Sequence, residues 1–497
     1  MKRVVHFVEQ LFLAQKGRPT ALVILLFLMA VNIYSYRDEA IKQPGMLEEV
    51  FHQVSKPFRK ARRFLFDEYQ RIFPRIPQSQ PVTIVAIDEE SLADIGQWPW
   101  PRNRLAELIS KINAFQPAAI GLDMYMPEPD QTSPDKVADN LPEFAAFLGE
   151  SLKALPSHEV VLAEAFSQAP VILGAAGFDH EAYTTSEHLL TKPIKVTGES
   201  PLPFVRYFTR VLASLPELQF AASGQAVLSV DLEQGVVRKI PLIMNLSNTL
   251  VPGLALEMLR VASGSEAIEV LSDQTGVQSL SVADITVPSQ SDGKVWLHFS
   301  RFENNLHRYV SANDVMKEKD LTDLFQNKLI MLGLTGAGLN DMRTTALGEL
   351  VPGIEIQAQL VESIFDGRFL FRPDVMIWSE TTAILILGIF LIWYIPKTDS
   401  RFARLLVHAP RNLVSTILGL TLNGLVLFAG FMLFHKTGLL FDAAATFIIL
   451  SSVLASLISS AFIEITREND QKTAHQHQLE LDRAYQKGLL DGQNQKS

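Results

Sequence analysis

The apolar positions of this chain fall into two regimes. Four long runs contain almost no charge, and between the first two of them the apolar residues come in short bursts. The long runs are Pro19 to Tyr36, Met376 to Ile395, Leu413 to Phe434 and Leu439 to Ile463. Each approaches or exceeds the ~20 residues that cross a bilayer as a helix, so four membrane spans are predicted. The first run is short, but no small-residue cleavage pattern follows it. It therefore reads as an uncleaved signal anchor rather than a signal peptide.

The bursts between the first and second spans have a different period. Val82-Thr83-Ile84-Val85-Ala86-Ile87 is a largely apolar run rich in Val and Ile that ends in Asp88, which suits a strand covered on both faces. Leu105, Leu108, Ile109 and Ile112 recur at helical spacing after Pro101, predicting an amphipathic helix from Arg102 to Phe115. Ala118 to Asp123 is the next strand, again ending in an acid. This β-α-β unit predicts an α/β domain with a mostly parallel or mixed sheet covered by helices, where ligands bind beyond the carboxyl ends of the strands.

Further elements follow in order. Leu141 to Leu155 and Val160 to Phe166 read as helices and Pro170 to Ala176 as a strand. Gln225 to Val230 and Val236 to Met244 flank Glu233-Gln234-Gly235 and suggest a hairpin. Pro252 to Ala262 and Pro352 to Phe365 read as helices, Val295 to Phe299 and Lys328 to Leu334 as strands. Ahead of the sheet, Met46 to Phe73 repeats apolar residues every three or four positions, with Lys56, Arg59, Lys60, Arg62, Arg63 and Arg71 mostly between them. Such a helix packs on a partner copy, lies on the membrane surface or covers its own domain, and Pro57 is expected to kink or split it.

Charge sets the orientation. Lys2, Arg3, Lys16 and Arg18 precede the first span, Lys397, Arg401, Arg404 and Arg411 lie between the second and third, and the following turn has only Lys436. Positive charge marks the cytoplasmic side, so both termini are expected inside and Arg37 to Val375 outside. The predicted organisation is therefore a cytoplasmic N-terminus (1–18), a first span (19–36), an amphipathic linker (37–81) and an external α/β domain (82–375). Three spans (376–395, 413–434 and 439–463) and a cytoplasmic helical tail (464–497) complete it. A net charge of −10 argues against a nucleic-acid partner, and the absence of Cys removes disulfides, thiolate metal sites and Cys nucleophiles.

Three groups could carry chemistry. Asp88, Asp123 and Asp341 each follow an apolar strand, with Arg102 and Glu355 as possible neighbours; they form either a ligand site at the sheet edge or a set of caps and ion pairs. Gly333 to Gly338 follows a strand and either presents backbone N–H groups to an anion or makes a tight turn of positive φ. It is neither a Walker A loop nor a dinucleotide fingerprint. Trp98 and Trp100, alternating with Pro99 and Pro101, line a pocket or cover the core beside a helix start. No nucleophile elbow, zinc-ligand spacing or cofactor motif is found, so no catalysis, metal or cofactor is expected. A hydrolase using Asp88 and Asp123 is the weakest reading.

Taken in order, several motifs form a set. They are the strand ending in Asp88, Gln97-Trp98-Pro99-Trp100-Pro101-Arg102, Gly121-Leu122-Asp123, Glu128-Pro129-Asp130 and Val230-Asp231 with Gly235-Val236-Val237-Arg238. Gly333 to Asp341 and Val351-Pro352-Gly353-Ile354-Glu355 complete it. The set resembles the type-two CHASE domain, an extracellular sensory module associated with bacterial cyclases and histidine kinases. The resemblance implies a bacterial inner-membrane sensor with its large domain in the periplasm, and Pro352 and Gly353 as motif positions. Thr345-Ala346 and Gln357 depart from the usual Thr-Pro and His. No kinase or cyclase fold is recognisable after Ile463, so the signal is expected to leave through a separate protein, unless the chain is a fragment or the domain has become a structural part. The partners expected are membrane lipid and either a second copy or another envelope or signalling protein. The alternative function is a scaffolding subunit of an envelope assembly. Small residues in the last span, including Ser452, Ser456 and Ser459, suggest an intermolecular helix contact there.

Overall fold

The computed structural model describes residues 17–36, 46–182, 184–230, 232–339, 341–394 and 411–494. They divide into two compact units. One is helical and takes the described residues up to Phe66, Val375–Lys436 and those from Phe441 onward. The other is α/β and spans Asp67–Asp374 with Thr437–Leu440.

The α/β unit is built on a seven-stranded sheet. Its strands are β1 (Val82–Ile87), β2 (Ala119–Leu122), β3 (Val171–Phe178), β4 (Arg210–Leu212), β5 (Gly224–Val227), β6 (Tyr309–Ser311) and β7 (Leu329–Leu334). The order is β6-β1-β7-β2-β3, with β5 and β4 both pairing β3. All pairs are parallel except β3 with β4. The expectation of a mostly parallel sheet is met, and β1 pairs β7 in register from Val82 with Leu329 to Ile87 with Leu334.

Both faces are covered, which is why these strands are apolar throughout. Among the helices of the two units are α1 (Arg18–Tyr34), α2 (Met46–Ile72), α3 (Glu89–Ile95), α4 (Arg102–Asn113), α5 (His158–Ser167), α6 (Leu254–Ala262), α7 (Gly353–Phe365), α8 (Val375–Tyr394), α9 (Arg411–Thr437) and α10 (Ala443–Asn494). Val85, Ile87, Ile120 and Leu332 share one core with Leu105, Leu108 and Ile109 of α4 and Leu162 and Phe166 of α5. Ile84, Ala119, Ile172 and Met331 share the other with Leu254 and Met258 of α6 and Ile354 and Val361 of α7.

Three expected elements are corrected. The hairpin keeps its turn, with Gln234 and Gly235 at φ 58° and 81°, but its arms are only Leu232–Glu233 and Val236–Val237. The apolar segment before it is β5, drawn into the main sheet by β3. The helix over Leu141 to Leu155 is instead a 3-10 turn, Glu143–Leu148, and one α-turn, Gly149–Lys153. Finally, Leu439 and Leu440 do not begin the last span. They join the α/β unit, where the Leu440 N–H donates to the Phe371 carbonyl and the Phe371 N–H to the Gly438 carbonyl, both at 3.0 Å. Gly438 is needed there: φ is +72°, and a Cβ would lie 2.5 Å from the Phe369 carbonyl oxygen.

In the helical unit, α8, α9 and α10 contain segments long and apolar enough to cross a membrane, and α1 is a shorter apolar helix. The count by length is thus three among the described residues, not four. All the same, α1 packs into the bundle: Ala21, Leu25 and Met29 share a core with Ile384 and Leu391 of α8 and Ile449 and Val453 of α10. Gly388 lets this happen, since a Cβ there would lie 2.6 Å from Leu25. Gly419 of α9 likewise admits Leu454 of α10, so part of the small-residue pattern serves packing within the chain. Ser456 is also buried inside the chain, whereas Ala455 and Ser459 are exposed.

One end of this bundle is polar. Asp442 caps α10 by accepting from the Ala445 N–H at 3.0 Å, and it takes Nε of Arg62 at 2.6 Å. The Tyr36 hydroxyl lies 2.8 Å from Asp442 Oδ2 and 3.0 Å from Glu380 Oε2. The C-terminal end of α1 therefore sits with the first turns of α8 and α10, so α1 runs antiparallel to both. The helix α2 is continuous through Pro57, so it is not split there; the carbonyl that Pro57 leaves without a donor belongs to the exposed Gln53. The basic loop with Lys397, Arg401 and Arg404, and residues Lys2, Arg3 and Lys16, lie outside the described residues. The tail expected to fray is helical to Asn494.

Candidate functional site

The acids expected at the carboxyl edge are there, but they do not form one cluster. Asp88 caps α3: its Oδ1 accepts from the Ser91 N–H at 2.9 Å, the Ser91 hydroxyl at 2.6 Å and the Ser311 hydroxyl at 2.9 Å. These bonds tie the end of β1 to the start of α3 and to the end of β6, where Ser311 stands. No hydrogen bond links Asp88 to Arg102 or Asp123 among the described residues.

Arg102 serves a separate loop. It is buried at the first position of α4, and its guanidinium donates to Glu159 Oε1 at 2.7 Å and to the Glu128 carbonyl. Its backbone N–H donates to Asp130 Oδ2 at 2.8 Å. Asp130 also takes the Thr132 hydroxyl and His158 Nδ1. Burial opposes the Asp130 charge, but these donors outweigh it and hold its pKa down to about 2. The expected tie of Arg102 to Asp88 and Asp123 is therefore corrected to a closure of the 128–133 loop on α5. Trp100 is buried under this loop's helix start and donates to the Gly96 carbonyl at 2.7 Å. Trp98 meets it edge-to-face at 5.7 Å, so the Trp pair covers the core.

Asp123 and Asp341 do come together. Asp123 ends β2, its N–H donating to the Leu332 carbonyl of β7 at 2.9 Å. Asp341 lies over the start of α7: its carbonyl accepts from the Gly353 N–H at 2.8 Å, and a Cβ on Gly353 would sit 2.6 Å from Asp341 Oδ2. Pro352 opens that helix as its N-cap. Arg343, which sequence reasoning did not name, pairs with Asp341 at 3.1 Å. Burial first, and the Asp341 charge second, push the Asp123 pKa up to about 7 against the pull of Arg343. Asp123 keeps part of its surface in solvent. The site can thus hold a proton near neutrality, donating a hydrogen bond when protonated and accepting when not. It lies at the carboxyl ends of two central parallel strands, where α/β sheets bind ligands.

The Gly-rich loop is not an open anion cradle. The Ala337 N–H donates to Glu89 Oε1 at 2.7 Å, and the Thr335 and Gly336 N–H groups donate to the Ile87 carbonyl. Nor is it a positive-φ turn, since none of its glycines has φ > 0. Gly333 is small because Ile354 of α7 packs on it: a Cβ would overlap Ile354 Cδ1.

Glu355 has other partners and is fully buried in the first turn of α7. It accepts from Asn305 Nδ2 at 2.8 Å, Arg308 at 3.0 Å, the Tyr309 hydroxyl at 2.8 Å and Gln359 Nε2 at 2.9 Å. Burial raises its pKa, and the Arg308 charge pulls it back. Two further buried ion pairs escaped the sequence reading. Arg75 pairs with Glu362 at 2.5 Å and Asp366 at 2.9 Å, and Arg238 grips Asp67 through both oxygens at 2.8 and 2.7 Å. The Arg238 position was visible within Gly235-Val236-Val237-Arg238, but nothing in the sequence names its partner 171 residues away. No group of three or more His, Cys, Asp or Glu able to hold a metal occurs among the described residues.

Comparison with known proteins adds one match. A family model described as the CHASE2 domain fits residues 47–395. No curated protein and no solved structure matches the chain.

Proposed function

Because the chain belongs to the CHASE2 domain family, a family of extracellular sensory domains, we propose that it is a multi-pass sensor of a bacterial inner membrane. Its α/β domain would face the periplasm and pass a signal through its spans to a separate protein, without catalysis of its own. One observation carries this reading. The α/β domain lies in sequence between α1 and α8, and those two apolar helices pack on each other through Leu25 and Gly388. Both connections of the sensor domain thus lead into one helical bundle, so a change in the domain has a covalent route to the spans.

Four spans, with both termini inside, give the parity this needs. The antiparallel run of α1 against α8 and α10 supports counting α1 as a span, and its 17 residues reach the lower end of spanning lengths. The Lys and Arg distribution supports the orientation. The described residues after the bundle, from Glu464 to Asn494, are helix alone, which supports output by helix contact. The scaffolding reading draws on exposed aromatics of the α/β domain, Phe147 at 77% and Phe220 at 76%.

The experiment is crosslinking in native membranes through Cys placed at Ser452 and Ser459, clean because the chain has no other Cys, followed by identification of what is trapped. Recovery of a kinase, a cyclase or another signalling protein supports the sensor. Recovery of envelope structural proteins alone would overturn it in favour of the scaffold.

A further inference from the structure

From Val50 to Phe64, one side of α2 carries an apolar stripe that its own unit leaves uncovered. Val50, Val54, Pro57, Ala61 and Phe64 alternate spacings of four and three, so they lie in one line along the helix. Val50 is 53% exposed, Val54 39% and Phe64 64%. The side that packs is another: Ser55, Phe58, Arg59 and Phe66 are buried, and Phe58 joins the core of the helical bundle. A third strip is basic. Lys56 and Lys60 are exposed along one flank of the apolar stripe, with Arg63 seven residues beyond Lys56 on the same flank.

We propose that this face seats α2 on an anionic phospholipid surface, the apolar stripe entering the acyl boundary while Lys56 and Lys60 meet lipid phosphates. An apolar stripe edged with lysine is the composition of an interfacial helix, and each basic residue adds attraction to anionic lipid. The place fits as well. The Tyr34 hydroxyl donates to the Glu48 carbonyl at 3.3 Å, and the rings of Tyr34 and Phe51 lie 5.5 Å apart. The start of α2 is thus held at the C-terminal turn of α1, the level at which a membrane-crossing α1 would leave the bilayer. A second copy of the chain fits this face less well. Pairing two such stripes would bring Lys56 and Lys60 alongside a flank bearing Phe51 and Leu65, with no acid to meet them. The one exposed acid beside the lysines, Glu49, is already bonded to Gln53.

This inference rests on the membrane reading of α1 and α8. The experiment uses the full-length chain in vesicles of phosphatidylcholine with or without phosphatidylglycerol. Spin labels are placed on single Cys replacements at Val54, Phe64 and, as a reference on α8, the 62%-exposed Ile386. Collision with oxygen and with a water-soluble nickel complex reads depth. Labels at 54 and 64 are expected at the headgroup boundary in anionic vesicles, and to move towards water without phosphatidylglycerol or in the variant Lys56→Glu/Lys60→Glu. Aqueous labels at 54 and 64 with a buried label at 386 would overturn the inference and leave the membrane reading standing. Dipolar broadening between labels at 54 or at 64 of two chains would overturn it in favour of a dimer. An aqueous label at 386 would overturn both.

Discussion

Replacing Asp123 by Asn should change how stability depends on pH more than it changes the fold. The Asp123 carboxyl has a pKa of about 7 in the folded domain, against 3.8 without the fold. Between those values the folded state keeps a proton that the unfolded chain has released, so the fold loses stability as pH rises from about 4 to about 7 and is level above. At ~1.4 kcal/mol per pH unit the whole window amounts to at most about 4 kcal/mol. Asn cannot ionise and keeps the shape of the protonated carboxyl. Asp123→Asn should therefore match the wild type near pH 4 and exceed it at pH 8, by about 2–4 kcal/mol. Other groups titrate in the same range. His298 is held down to about 4 by burial, and its contribution is lost as pH falls from 6.5 towards 4, the opposite sense. The difference between variant and wild type cancels such terms. The assay is urea unfolding of the full chain in detergent at several pH values, read from Trp98 and Trp100 beside the sheet. A variant with the wild-type pH slope, or one less stable at pH 8, would refute the assignment of a raised pKa to Asp123.

Glu355→Ala removes the nearer of the two carboxylates paired with the buried Arg308, leaving Glu362 at 3.6 Å, and should cost about 3 kcal/mol; Glu355→Gln, which keeps an acceptor, should cost less, and equal losses in the same urea assay would deny the charge a role. Gly333→Ala forces Ile354 off the sheet and should cost about 1–3 kcal/mol, whereas an unchanged midpoint would show that α7 can yield. Arg62→Ala leaves the buried Asp442 without its guanidinium partner and should lower the melting temperature in detergent, while Arg62→Lys should restore part of the loss; no change would show that water serves Asp442 as well.

The β1-α4-β2 unit could be read from the chain because every level agreed. Continuous Val and Ile, Pro101 before a 3.6-residue period and a second apolar burst allow few other folds. The acidic strand ends were legible for the same reason, since the carboxyl edge is where the continuous apolar run stops. Which acid meets which base was not legible. Arg102 finds Glu159, 57 residues on, and Arg238 finds Asp67, 171 residues back. The hairpin arms were misread because an apolar run is equally content beside β3, and local pattern does not say which strand will take it. Gly333 was assigned to a turn because its reason, the approach of Ile354, comes from a helix later in the chain.

Labelling single-Cys variants in spheroplasts with a membrane-impermeant maleimide tests whether the sensory domain faces outward on an even number of spans. Cys placed at Leu350, 61% exposed on the α/β domain, and at His475, exposed on the helix beyond the bundle, are the two reporters. Position 350 is expected to react in intact spheroplasts, and position 475 only after lysis. Labelling at 475 before lysis, or protection of 350 until lysis, would contradict it.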